Sequence, residues 1–190
     1  ETPEFLTERM DLFGTPEAYN HFSVGWAHAM DTPYQWTKQV ASHWGGTRNG
    51  TVVHWPQGIS STGVRNQFHH VIDIAPTILD VAGIPHPERV NGAEQIPLHG
   101  VSMRYAFDDA DAADRHTTQY FEIAGNRAIY HEGWTAVTKH ATPWIAMAEL
   151  PAFVDDVWEL YAPDDWTQSH DLSGSMPDKL RELQDLFLAE

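Results

Sequence analysis

A lysine set among aromatic rings can do one of two things, and Lys38 is such a lysine. Trp36 and Trp44 flank it, and a Gly45-Gly46-Thr47-Arg48 turn follows. Held in place, an ammonium lowers a barrier by facing oxygens on which negative charge builds. Left at the surface, it lays its methylene stem along the rings and keeps its head in water. The residues alone leave both roles open for Lys38. Arg48 reads as a structural arginine bonding carboxylates or carbonyls around the turn, with a second anion contact as the alternative. Trp26, Tyr34, Trp36 and Trp44 could line an aryl pocket beside the lysine or simply pack the loop.

Other chemistries find less support. His69, His70 and Asp73 form an H-H-x-x-D cluster, but adjacent histidines ahead of a helix lack the spacing of a zinc-binding helix. Asp73 also stands where a helix N-cap is expected, with its carboxylate taken up by backbone N–H groups. No serine lies in a G-x-S-x-G elbow, which argues against Ser/His/Asp catalysis. The 190 residues contain no cysteine, so disulfides, thiolate metal sites and a cysteine nucleophile are excluded. A net charge of −16, from 27 acidic and 11 basic residues, argues against nucleic acid and anionic lipid as partners. A site for an anionic ester must therefore supply its own local positive charge. No apolar run approaches the roughly 20 residues of a membrane helix.

The elements that must position these residues follow from local pattern. A short helix is expected over 3–12 within a loop-rich stretch covering 1–24, and a helical turn or loop over 26–32 ends at Pro33. Residues 51–55 are largely β-branched or aromatic and stop at Pro56, which predicts a strand. Residues 74–82 keep helical spacing with Gly83 as a C-terminal stop. Residues 84–116 read as loop, including a solvated acidic stretch over 108–114. Three β-type runs over 118–123, 127–131 and 134–139, separated by glycine turns, predict an antiparallel meander. A fourth strand is expected over 157–161 and a closing amphipathic helix over 177–188.

Three blocks then carry a family resemblance. Lys38 ahead of Gly45-Gly46-Thr47-Arg48 resembles the sulfate-contacting lysine of type I sulfatases, bacterial arylsulfatases of the alkaline phosphatase superfamily. In that family an acidic residue usually precedes the two glycines, where this chain has Trp44. Asp73-Ile74-Ala75-Pro76-Thr77-Ile78-Leu79-Asp80 resembles the family's D-x-x-P-T-[IL]-L-[DE] helix. Trp158-Glu159-Leu160-Tyr161 with His170-Asp171-Leu172 resembles its closing signature.

The resemblance implies an α/β fold: the C-terminal part of the sulfatase sheet over 1–115, then a small antiparallel sheet with a C-terminal helix over 116–190. It implies sulfate-ester hydrolysis with Lys38 as a catalytic cation and Trp36, Trp44 and Arg48 as substrate-side candidates. It also implies a formylglycine nucleophile and a calcium ion. The sequence contains neither a Cys/Ser-x-Pro-x-Arg motif nor an Asp-Asn pair for the metal. Both are thus expected in a longer N-terminal portion ending just before Glu1, which would be the chain's partner. The alternatives are a phosphoesterase or phosphonate hydrolase of the same architecture, and a non-catalytic acidic scaffold. Composition assigns no compartment.

Overall fold

Two-residue turns set the register of the main sheet. The computed structural model describes residues 2–18, 24–140, 142 and 151–190, so the loop expected over 1–24 lies partly outside the described residues. Ala124-Gly125 and Glu132-Gly133 all adopt positive φ, 50° and 80° in the first turn and 48° and 90° in the second. That conformation gives tight hairpins their twist. It aligns β3 (Thr118–Ile123), β4 (Asn126–His131), β5 (Trp134–Thr138) and β6 (Glu159–Tyr161) in the antiparallel order β3-β4-β5-β6. The first turn falls one residue earlier than the sequence suggested, because Asn126 is a buried member of β4.

Side chains alternate across this sheet, and each face takes a different cover. Tyr120, Ile129, Ala136 and Leu160 stand in register on one face. The expected closing helix, α5 (Pro177–Ala189), sets Leu183 and Phe187 against them, with Trp158 completing the core. The opposite face presents Phe121, Ala128, Val137, Glu159, Tyr130, Thr135 and Tyr161. It receives the loop that carries Lys38.

The earlier part of the chain is less regular. It holds α1 (Pro3–Thr7), a 3-10 turn at Met10–Leu12, α2 (Val24–Asp31) and the one-turn α3 (Trp44–Thr47). The helix expected over 74–82 forms as α4 (Ile74–Ala82), and Gly83 stops it in the left-handed region at φ 66°. Within the expected loop, Asn91-Gly92 at φ 50° and 84° closes a short hairpin of β1 (Arg89–Val90) and β2 (Ala93–Glu94).

Two expectations fail. Residues 51–55 are not a strand: they run as loop, with Val52 93% exposed. No other strand among the described residues pairs with them, and β-branched residues need a pleated neighbour to realise their preference. Asp73 makes no side-chain cap to α4. Its carboxylate instead accepts N–H groups from His70 at 2.9 Å and Val101 at 2.8 Å. No helix among the described residues is long and apolar enough to cross a membrane.

Candidate functional site

Residues 34–48 form a loop whose base is buried and whose tip is not. Val40, Ala41, Ser42 and His43 are 0 to 6% exposed, and this anchor begins two residues after the exposed Lys38. Trp36 and Gln39 on either side hold φ of 66° and 74°, a region that costs a non-glycine residue about 1–2 kcal/mol. Such a conformation persists only where its surroundings over-determine it.

The surroundings do so through the face of the sheet. His43 Nε2 lies 3.1 Å from Glu159 Oε2, and the Tyr161 hydroxyl donates to the same oxygen at 2.6 Å. Hydrogen bonding to His43 holds the Glu159 carboxyl below its usual range, while burial and the Glu159 carboxylate push the Tyr161 phenol up. The His43 ring completes the contact at the other end, with Nδ1 2.9 Å from Ser42 Oγ. Gln168, 1% exposed, accepts the Trp44 N–H on Oε1 at 2.8 Å and donates from Nε2 to Thr135 Oγ1 at 3.1 Å. Its main-chain carbonyl accepts from Gln35 Nε2. The three bonds that tie the loop to the later part of the chain, His43 to Glu159, Trp44 to Gln168 and Gln35 to Gln168, span 116, 124 and 133 positions, so no local pattern announces them.

Lys38 opens onto a cavity of about 460 Å³ that it lines with Ala27, Met30, Asp31, Thr37, Gly45, Gly46 and Asn49. The two glycines are required. A β-carbon on Gly46 would collide with the Val40 carbonyl, and one on Gly45 with the carbonyls of Gln35 and Trp36. Asp31 contributes a buried Oδ2 with no hydrogen-bond partner among the described residues, and burial raises its pKa, opposed by the His28 charge.

Trp36, Trp44 and Arg48 do not line that cavity, nor do Trp26 and Tyr34. Trp36 carries the ammonium of Lys139 over its ring at 3.9 Å. Arg48 rests over Tyr34 at 5.5 Å and Trp44 at 5.8 Å, so it is fixed by rings rather than by the carboxylates or carbonyls expected around the turn. Trp44 also approaches Tyr130 at 6.4 Å. Lys38 and Arg48 stand on this loop, and Lys139, just past β5, brings a third positive charge onto its Trp36 ring in an otherwise acidic chain. The H-H-x-x-D cluster resolves differently. Asp73, 0% exposed, lies 2.8 Å from His116 Nδ1, and burial holds the pKa of His69 and His70 down.

Comparison with known proteins gives the family and the fold. The family model described as N-sulphoglucosamine sulphohydrolase, C-terminal, matches residues 45–165; Lys38 lies just ahead of that stretch and Gln168 just beyond it. An uncharacterized sulfatase of Schizosaccharomyces pombe is 24% identical over 188 residues, covering 97% of this chain. A solved structure from work on the metabolism of multiple glycosaminoglycans by Bacteroides thetaiotaomicron shares the fold, with a TM-score of 0.56 and 18% identity over 79% of the chain. The chain spans 32% of the yeast protein's length and 30% of the bacterial chain's.

Proposed function

The chain belongs to the family of sulfatase C-terminal regions typified by N-sulphoglucosamine sulphohydrolase, and from that membership we propose that it serves a sulfate-ester hydrolase of the arylsulfatase type. The observation that carries the proposal is Lys38, an exposed cation at the mouth of a cavity, on a loop whose following residues are buried.

Hydrolysis of a sulfate ester places negative charge on the non-bridging oxygens and on the leaving oxygen. An ammonium aimed at those oxygens from a fixed loop stabilises that charge as it develops, without reorganising at the moment of reaction. Lys38 takes this role in the proposal, and Arg48 and Lys139 add to the local positive potential that attracts an anionic substrate.

The calcium ion and formylglycine do not fit the residues present. No Cys/Ser-x-Pro-x-Arg motif occurs in the sequence. Among the described residues no three His, Asp or Glu side chains converge to hold a metal ion. In this proposal both belong to another stretch of the same enzyme, which is the partner of residues 1–190. Residues 1–190 alone are accordingly expected not to turn over an aryl sulfate such as nitrophenyl sulfate.

The test is Lys38→Ala in the full-length protein. Loss of one charge-stabilising donor should lower kcat/KM for nitrophenyl sulfate by about 10² to 10³. Lys38→Arg should restore only part, because a planar guanidinium places its charge elsewhere. Near-parental activity in the alanine variant would return Lys38 to the role of a surface lysine.

A further inference from the structure

We infer that Gln168 is a positioning residue for Lys38, acting from the far end of the chain on the loop that carries the lysine. This rests on the reading of Lys38 as the sulfate-facing cation.

The geometry is that of a clamp with three points. The side-chain amide of Gln168 uses both of its ends, accepting from Trp44 N–H at 2.8 Å and donating to Thr135 Oγ1 at 3.1 Å. The backbone carbonyl of the same residue accepts from Gln35 Nε2. Gln35 and Trp44 stand on the two sides of Lys38, and the Gly45 N–H donating to the Gln35 carbonyl at 3.0 Å closes the loop between them. Both limbs of the loop are therefore fixed to one residue, and Thr135 fixes that residue to the sheet. Gln168 itself adopts φ of 54°, so its backbone too is held in a conformation its surroundings impose.

What lies between the limbs needs this fixing. Trp36 and Gln39 both sit in the left-handed region, and Lys38 is exposed with no ion pair among the described residues to orient it. The backbone of the loop then sets where the root of its flexible stem stands, and so the region its ammonium can reach. Gln168 does not line the cavity, and its hydrogen bonds to loop and sheet go to Gln35, Trp44 and Thr135 rather than to Lys38, so its effect on the reaction passes through the loop. A displacement on the order of 1 Å is enough to cost about a hundredfold in rate.

A double-mutant cycle in the full-length protein separates positioning from a general structural role. Gln168→Ala should lower kcat/KM for nitrophenyl sulfate by about 10- to 100-fold when Lys38 is present, mainly through kcat. In the Lys38→Ala background the same substitution should cost less than about threefold, since there is no ammonium left to misplace. Equal losses in the two backgrounds, or an effect within about threefold of parent in the first, would overturn the inference while leaving the Lys38 reading intact. Near-parental activity of Lys38→Ala alone would overturn both. Should Gln168→Ala fail to fold, Thr135→Val removes only the hydroxyl at the far end of the amide. It is expected to show the same background dependence, at about 3- to 10-fold, and equal loss in both backgrounds overturns the inference there as well.

Discussion

Glu159 shows how a single side chain links the sheet to the loop, and what pH does to that link. Its carboxylate holds His43 and Tyr161 together, and the bond to His43 keeps it ionised to lower pH in the folded chain than in the unfolded one. A carboxyl whose folded pKa is depressed contributes stability above its ordinary value near 4.5; that contribution is lost as pH falls through the lowered value. Glu159→Gln should therefore lower stability at pH 7, by about 1 kcal/mol for a hydrogen-bonded charge that is partly open to water. Thermal melts of the two proteins should converge as pH falls below about 4.5, and a difference that stays constant would remove the role given to this carboxylate. Lys38 could be proposed from the sequence because the glycine turn that follows it is local. The bonds from Gln35 and Trp44 to Gln168 and from His43 to Glu159 could not, because the partners lie more than a hundred positions apart and periodicity carries no record of such pairings.

At the scale of elements, the meander, α4 and α5 were readable because their signals are short-range: β-branched runs, glycine turns and helical spacing. Residues 51–55 carried the same strand signal and form a loop, since a strand needs hydrogen-bonding partners that pattern alone does not supply. Asp73 looked like a helix cap and instead ties the His70 approach, the Val101 segment and His116 together. The glycines make the contrast testable. Gly25 in α2 has open space where a β-carbon would go, whereas Gly46 has the Val40 carbonyl. Gly25→Ala should be neutral or stabilising by up to about 1 kcal/mol, the ordinary helix preference of alanine. Gly46→Ala should destabilise by about 1–3 kcal/mol and lower Tm by roughly 2–10 °C. Equal melting temperatures for the two variants would show that the close approach behind the cavity does not constrain the loop.

For the molecule as a whole, the unequal distribution of buried surface sets the expectation. The main apolar core joins β4, β5, β6 and α5, whereas Trp26, Val52, Ile78 and Ile96 are between 58 and 93% exposed. We expect residues from about 115 onward to be the more autonomous unit and residues 1–85 to depend on further chain for cover. Limited proteolysis of isolated 1–190 should cut the first region and spare the second. Uniform protection with one cooperative unfolding transition would show a self-sufficient domain and favour the scaffold alternative. The contact between Gln35 and Gln168 spans 133 positions, and that separation has a meaning in time. A ribosome adding about 5–20 residues per second needs roughly 7–27 s to travel from one to the other. During that interval a nascent chain already displays Lys38 with nothing to clasp it. Synthesis interrupted anywhere before Gln168 then yields a protein that carries its charged residue yet lacks the latch for it, so early termination should blunt this loop even with the lysine in place.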